Sequence, residues 1–310
     1  MPLFKTKRRQ RIKRRTRTRT RTRNQLPGRK LNCHPNAKPD NTETCLTKDV
    51  LLQIKTDFNK DHPDSPILTD KPILIWRELK SRILNDECND DRCLLKEIDD
   101  PIKRKTALKN LFAPDHPPSW LKNRVEWLSN EDIDKVMAQY EQTFKDFKYL
   151  GTTSRDYDFK YPDGTCVEEQ LCKMNLQQLI KSGKQRFAAV FNLDTHDQSG
   201  SHWVSFFVSV PHKLVVFFDS AKGGIPKEIE RLRDTFIEQG KSIGIDFLFK
   251  TNTSDHQQGN TECGVYSIYF IVEMLRSVSN VEKFMNGNIT DKEMEKQRYK
   301  FFNAPVELSH

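Results

Sequence analysis

The sequence predicts an α+β fold in which helices flank a central sheet that contains antiparallel strands. Three short runs rich in β-branched and aromatic residues follow one another at 186–193, 203–210 and 214–218, and such runs are typical of strands. After Cys263, apolar residues recur at helical spacing. We therefore expect three consecutive strands followed by a buried helix, with a helical accessory region in front of them.

Composition bounds the class of protein. The 310 residues include 35% hydrophobic and 31% charged residues, as in soluble globular proteins. No run approaches the ~18 apolar residues that a membrane helix needs, and basic residues rather than an apolar signal core follow the first four residues. The length allows one principal domain and an accessory region, and we expect no membrane partner.

The first thirty residues form a basic arm. Residues 1–30 hold fourteen Lys or Arg and no acidic residue, which leaves 38 basic against 43 acidic residues in the remainder. We expect this arm to be disordered when free and to bind nucleic acid, or another polyanion, without base specificity. A targeting signal or a solubilising tail is the alternative. The residues expected to contact phosphates are Arg14, Arg15, Arg17, Arg19, Arg21 and Arg23.

Residues 31–114 are predicted to form the helical accessory region. Three runs there have apolar residues at helical spacing, namely 44–59, 73–84 and 93–98. Thr47 is the candidate N-cap of the first helix. A proline-rich link at 113–118 marks the boundary to the principal domain, 115–278. Residues 279–310 are polar and mixed in character, and we expect a tail that is helical in part.

The number and spacing of the cysteines lead to a prediction about the cellular compartment. Seven cysteines at irregular spacing do not predict a disulfide framework. Cys33-His34 with Cys45 lacks a zinc-ribbon spacing, so we expect no metal site. Unpaired thiols fit a reducing cytoplasmic or nuclear setting.

Two polar side chains flank the predicted strands. His202 lies at the mouth of the second strand and Asp219 at the end of the third. A short turn at 211–213 would join these strands antiparallel and bring both side chains to one edge of the sheet. Asp219 can then hold the His202 imidazole in one tautomer while the other nitrogen faces a nucleophile. In isolation, a strand-edge hydrogen bonder and a turn-former would explain the two residues.

Cys263 is the candidate nucleophile. A free thiol has a pKa of about 8.5, so only a few per cent is thiolate at neutral pH. Cys263 opens the predicted buried helix, whose positive N-terminal end favours a thiolate. Gly264 would let the backbone come close to a substrate. A lone cysteine here would more often cap a core helix, and the combination with His202 and Asp219 favours catalysis.

An attack on an amide also needs donors aimed at the developing oxyanion. A side-chain amide just before the nucleophile and the backbone N–H of Cys263 can supply two donors. Gln257 and Gln258 both have the required side chain. The residue types alone do not choose between them.

The order of these residues resembles the SUMO-protease superfamily, which also contains adenain and the processing proteases of large DNA viruses. The matching residues are His202, Trp203, Asp219, Gln257, Cys263 and Gly264. The resemblance implies a papain-like, SUMO-protease-like catalytic domain with a Cys-His-Asp triad. It also places the oxyanion Gln six residues before the Cys, which selects Gln257 with Gln258 as the fallback.

A second segment extends the resemblance. Residues 126–133 read EWLSNEDI, similar to the Trp-Leu-Asn-Asp segment before the first helix of that catalytic domain. The resemblance implies that Trp127 and Trp203 wall a narrow tunnel that admits only Gly-Gly before the scissile bond. Ser129-Asn130 replaces Asn-Asp here. A core role is the alternative for both tryptophans.

The resemblance implies a thiol endopeptidase that cuts protein substrates at Gly-Gly-X sites, in viral structural or core precursors during virion maturation. It implies no cofactor, and a location in the virion and host cytoplasm. A cellular isopeptidase that removes a ubiquitin-like modifier, in cytoplasm or nucleus, shares the same active site and stays open. Less favoured are a same-fold acetyltransferase and a nucleic-acid-binding virion component with a decayed protease domain. The intact set of catalytic residue types argues against the latter.

Overall fold

The computed structural model of the protein describes residues 30–85 and 88–303. Within these ranges it contains ten α-helices and one five-stranded mixed sheet, which confirms the predicted α+β class. The basic arm through residue 29, with its six expected phosphate-binding arginines, lies outside the described residues, so its predicted behaviour stays a prediction.

The accessory region is helical and has its own apolar core. Its helices are α1 (Lys48–Asp61), α2 (Pro72–Ile83) and α3 (Pro101–Leu111). Thr47 precedes the first helix as expected, although its side chain makes no capping hydrogen bond. The predicted helix at 93–98 was wrong, because only a short 3₁₀ turn forms at Leu94–Glu97. The chain must leave the helical conformation before Pro101, whose ring disfavours it at the preceding residue.

Five strands build the sheet in chain order. They are β1 (Phe147–Ser154), β2 (Arg186–Asn192), β3 (Trp203–Ser209), β4 (Leu214–Phe218) and β5 (Leu248–Thr251). The outer pairs β1–β2 and β4–β5 are parallel, whereas β2–β3 and β3–β4 are antiparallel. The three predicted strands coincide with β2, β3 and β4 to within one residue at each end.

Helices cover both faces of the sheet. They are α4 (Asn130–Thr143), α5 (Glu169–Cys172), α6 (Leu176–Lys181), α7 (Lys227–Ser242), α8 (Cys263–Arg276), α9 (Val281–Asn286) and α10 (Asp291–Phe301). One core packs α4, α8, α9 and α10 against one face, and a second core packs α5, α6 and α7 against the other. Because side chains alternate along a strand, β2 sends Ala188 to the first core and Phe187 to the second.

The segment after residue 278 is not the separate tail that the sequence suggested. Phe284 on α9, Met294 on α10 and the following Phe302 are all fully buried in the first core. Apolar residues are sparse in this polar stretch, but they lie on the face that meets α8. Residues 281–303 therefore belong to the principal domain.

The accessory region docks on the end of α10. The side-chain amide of Asn32 donates to the carbonyls of Tyr299 at 2.6 Å and Phe302 at 2.8 Å. The Asn303 side chain donates to the Ala113 carbonyl at 2.8 Å. The Asn32 amide thereby satisfies the Tyr299 carbonyl, one of those that the end of α10 leaves without an intrahelical partner.

The expectation of unpaired cysteines was wrong. All seven cysteines lie in the described ranges, and six of them form the disulfides Cys33–Cys45, Cys88–Cys93 and Cys166–Cys172. Pairing depends on Cα separations of 5.2–6.3 Å that irregular sequence spacing does not reveal. The argument from free thiols to a reducing compartment loses its premise. Cys263 is the single free cysteine.

Two other kinds of site are absent from the described part of the chain. No helix there is both long and apolar enough to cross a membrane. No cluster of three or more potential metal-ligating side chains occurs in residues 30–85 and 88–303.

Candidate active site

His202 and Asp219 meet at one edge of the sheet. The β3–β4 register pairs Ser205 with Phe218, so Asp219 falls opposite Val204, and His202 lies two residues further along on the same face of the sheet. Nε2 of His202 lies 2.6 Å from a carboxylate oxygen of Asp219. The predicted juxtaposition is therefore present.

Backbone amides hold the Asp219 carboxylate in place. It accepts hydrogen bonds from the amides of Ala221 at 2.9 Å and Gly223 at 2.6 Å. A Cβ added to Gly223 would lie 2.7 Å from the same carboxylate. The close approach of the backbone therefore requires glycine at this position.

Asn252 fixes the main chain of Asp219 and was missed by the sequence analysis. Its side chain accepts from the Asp219 amide at 3.0 Å and donates to the Asp219 carbonyl at 2.7 Å. Asn252 is buried directly after β5. The signal was weak, because one asparagine after a short edge strand looks like an ordinary loop residue.

Cys263 is the first residue of α8 and is buried beside the imidazole. Interaction with the Cys263 side chain is one of the causes that raise the pKa of His202. Asp219 holds Nε2, which leaves Nδ1 as the ring nitrogen available to the thiol. The His202 side chain, 17% exposed, thus lies between the buried carboxylate and the buried thiol in this interaction network.

The partners of the imidazole favour its charged form. Burial lowers the pKa of His202, but interactions with Asp219 and Cys263 outweigh burial and raise the pKa to about 9. Burial raises the pKa of Asp219, but the interaction with His202 and the amides of Ala221 and Gly223 outweigh burial and lower the pKa below its ordinary value. At neutral pH this arrangement favours an imidazolium beside the Asp219 carboxylate.

The structure distinguishes the two glutamines. Gln257 is buried, its Oε1 accepts from the Ser220 hydroxyl at 2.8 Å, and its Nε2 donates to the Gly259 carbonyl at 3.0 Å. Gln258 is exposed. The Ser220 contact identifies the oxygen end of the Gln257 amide and leaves one N–H of the nitrogen end for another acceptor.

The two tryptophans differ in exposure. The Trp203 indole is 8% exposed and donates to the Leu128 carbonyl at 2.9 Å, whereas the neighbouring Trp127 is 36% exposed. Ser129 begins α4 with a capping box that it forms with Asp132. The hydrogen bond to Leu128 therefore ties Trp203 to the segment that carries Trp127.

The structure explains the glycine at position 264 differently from the sequence-based expectation. A Cβ at this position would lie 3.2 Å from Leu128 Cβ and 3.3 Å from Trp203 Cδ1. Gly264 is buried under these two side chains. Its lack of a side chain is explained by tight packing of α8 against the Leu128 segment rather than by an opening to substrate.

Known proteins similar to this chain indicate the class of its catalytic domain. The model of the Ulp1 protease family C-terminal catalytic domain matches residues 187–307. A thiol protease assigned in Acanthamoeba polyphaga mimivirus is 27% identical over 88% of this chain and 94% of its own length. A SUMO-1 cysteine protease of African swine fever virus is 27% identical over 58% of this chain and 69% of its own.

A solved structure shares the fold over most of the chain. The crystal structure of an African swine fever virus protease superposes with a TM-score of 0.63. It has 20% sequence identity and covers 88% of this chain and 96% of that one. The coverage includes more than the catalytic domain matched by the family model.

The matched domain supports a cysteine protease of the Ulp1 type. Over most of its length the chain is similar to a thiol protease of a large DNA virus.

Proposed function

We propose that the protein is a thiol endopeptidase with a Cys263–His202–Asp219 triad that cuts after Gly-Gly in protein substrates. The observation that carries this proposal is the 2.6 Å contact between His202 and Asp219, together with the interaction of His202 with the one free cysteine. A buried cysteine with a merely structural role needs no imidazole partner.

The proposed peptide hydrolysis proceeds by proton transfers between Cys263, His202 and the substrate. His202 takes the Cys263 proton, and the thiolate sulfur attacks the substrate carbonyl carbon. The imidazolium then gives its proton to the leaving amine as the C–N bond breaks, which leaves a thioester. Water attacks the thioester with His202 as general base, and the released thiolate completes the cycle. Asp219 orients the imidazole and stabilises its positive charge.

Gln257 is our candidate for the oxyanion donor. Its amide is fixed by Ser220, and its remaining N–H can act together with the backbone N–H of Cys263. The first amide groups of a helix have no intrahelical acceptor, and donors held before reaction stabilise developing charge without reorganisation. Gln258 lacks comparable burial.

The Gly-Gly preference is assigned to the walls at Trp127 and Trp203. Trp203 is anchored through Leu128, while Trp127 keeps an exposed face toward solvent. A substrate strand that passes these rings meets a surface with little space for side chains. We expect Gly-Gly-X peptides to be cut. In Ala-Ala-X peptides each added methyl group should lower kcat/KM by about 10–200-fold.

Precursor proteins of a virus particle are the proposed substrates, with the virion and host cytoplasm as the location. The support is similarity along nearly the whole chain to a mimivirus thiol protease. The decisive experiment compares Gly-Gly-X peptides with modifier–aminomethylcoumarin conjugates, using Cys263→Ala as the inactive control. Faster cleavage of the conjugates would favour an isopeptidase, and turnover by Cys263→Ala would reject the assigned nucleophile.

The basic arm is proposed to bind nucleic acid without base specificity. Its fourteen positive charges in residues 1–30 have no acidic neighbour in that segment. Six to ten phosphate contacts would weaken binding by about 10³–10⁵ between 50 and 200 mM salt. Deleting residues 1–30 should remove DNA binding and leave peptide cleavage nearly unchanged. Full DNA affinity in the truncated protein would assign the arm to another role.

A further inference from the structure

The segment from Gln257 to Glu262 connects β5 to α8 and carries the oxyanion donor to the nucleophile. It contains no regular secondary structure, so backbone hydrogen bonds of a helix or sheet do not hold its shape. Helix α10 lies against it. Asp291 and Arg298 are seven residues apart, which places them on the same face of that helix.

Asp291 holds the beginning of this segment. One carboxylate oxygen accepts from the amides of Gln258 at 3.1 Å and Gly259 at 2.7 Å. The other accepts from the Tyr266 hydroxyl at 3.0 Å, and Tyr266 lies in the first turn of α8. A single side chain therefore links the peptide bond that follows Gln257 to the helix that begins with Cys263.

Arg298 holds the end of the segment. Its guanidinium, 1% exposed, contacts both carboxylate oxygens of Glu262, at 3.0 and 2.9 Å. It also donates to the Thr261 carbonyl at 3.1 Å. Glu262 immediately precedes Cys263. A planar guanidinium that grips a carboxylate with two nitrogens fixes direction as well as distance.

The same guanidinium reaches the tryptophan wall. It donates to the Glu126 carbonyl at 2.7 Å, directly before Trp127, and lies 4.8 Å from the centre of the Trp120 ring. Arg298 thus connects the residue before the nucleophile to the residue before the candidate substrate wall.

We propose that Asp291 and Arg298 are positioning residues, which together clamp the nucleophile segment onto α10. The inference rests on the proposed protease function, since it names what sets the geometry of that site. Asp291 sets the position of the Gln257 amide, and Arg298 sets the spacing of Cys263 from Trp127. A displacement of about 1 Å in such groups can cost on the order of 10²-fold in rate.

The two residues predict different kinetic signatures. Asp291→Ala should lower kcat about 10–100-fold with KM unchanged, because it loosens the oxyanion donor. Asp291→Asn should restore most of the rate, since its oxygen can still accept an amide N–H. Arg298→Lys keeps the charge but loses the two-nitrogen grip, so kcat should fall and KM should rise together. The matched control is Lys292→Ala, an exposed position beside Asp291 on α10.

Two readouts separate positioning from a loss of folded protein. The kcat of each variant is divided by the fraction of Cys263 that iodoacetamide labels in the native state, and circular dichroism checks the fold. Wild-type kcat and KM in Asp291→Ala would overturn the clamp, even if Arg298→Lys fails to fold. Peptides that no form of the protein cuts would reject the proposed function instead. If no peptide is cut, the clamp is tested by the alkylation rate of Cys263 at pH 6.5. This rate should fall about 10-fold in Asp291→Ala and stay unchanged in Lys292→Ala. An unchanged rate in both variants would reject the clamp.

Discussion

The active site has two halves that are held in different ways. His202 and Asp219 lie at the ends of adjacent antiparallel strands, and the strand register brings them together. Gln257 and Cys263 lie on an irregular segment and at the first residue of a helix, where side chains from α10 supply the support. The proposed base is thus positioned by the sheet, while the proposed nucleophile and oxyanion donor depend on a few buried polar contacts.

The largest expected effect comes from the half of the site held by the sheet, His202 and Asp219, which we call the sheet half. His202→Gln removes the group that takes and returns the proton, so kcat should fall by on the order of 10⁶, as expected for triad members that act as a unit. Turnover of a Gly-Gly-X peptide measures the loss, and circular dichroism confirms that the fold is kept. A decrease of less than about tenfold would contradict the general-base role.

Substitutions of the two glutamines test the other half of the site, Gln257 and Cys263, which we call the loop half. Gln257→Ala should lower kcat by on the order of 10²–10³ with little change in KM, because one oxyanion donor is lost. Gln258→Ala is the matched control one residue away, and it keeps the backbone amide that Asp291 accepts from. A larger loss in Gln258→Ala would reverse the assignment.

The two halves also differ in how far the sequence predicts them. The strands β2 to β4 have local patterns of apolar and β-branched residues, so their ends and the His202–Asp219 pair were predicted correctly. The edge strand β1 contains Gly151 with a φ of +110°, and β5 exposes 60% of Leu248. Both strands therefore lack the patterns that made the central strands recognisable.

The support of the loop half could not be predicted. Asp291 and Arg298 look like ordinary charges on a polar helix, and their partners in the segment 257–262 lie 32–37 residues earlier in the chain. The disulfides are hidden for a different reason, because pairing depends on Cα separation. Gln257 and Gln258 differ only in burial, which needs the folded segment.

Titration of the imidazole sharpens the account of the sheet half. We expect an NMR midpoint of about 9 for the His202 ring, and a lower midpoint in Asp219→Asn, because an anionic partner is removed. The raised pKa contributes stability that is fully present below the ordinary value of 6.5 and is lost as pH rises through about 9. His202→Gln identifies the signal among eight histidines. An unchanged midpoint in Asp219→Asn would reject this coupling.

The smallest and most local effect is expected in amide hydrogen exchange, which compares the sheet half with the loop half. Amides in β3 and β4 are paired on both sides, so they should exchange only through extensive unfolding. In Asp291→Ala, the amides of Gln258 and Gly259 should exchange about tenfold faster than in the wild type, because they lose their acceptor, whereas those of β3 should not change. Equal acceleration in both regions would show a global loss of stability.

The central claim is that His202 activates the one free cysteine. The most direct measurement is the rate at which iodoacetamide alkylates native protein at pH 6.5 without reductant, with the labelled residue identified by mass spectrometry. We predict a single labelled residue, Cys263, and a rate at least about tenfold lower in His202→Gln, since the thiolate loses its imidazolium partner. Equal rates in the two proteins, or labelling at another cysteine first, would contradict the account.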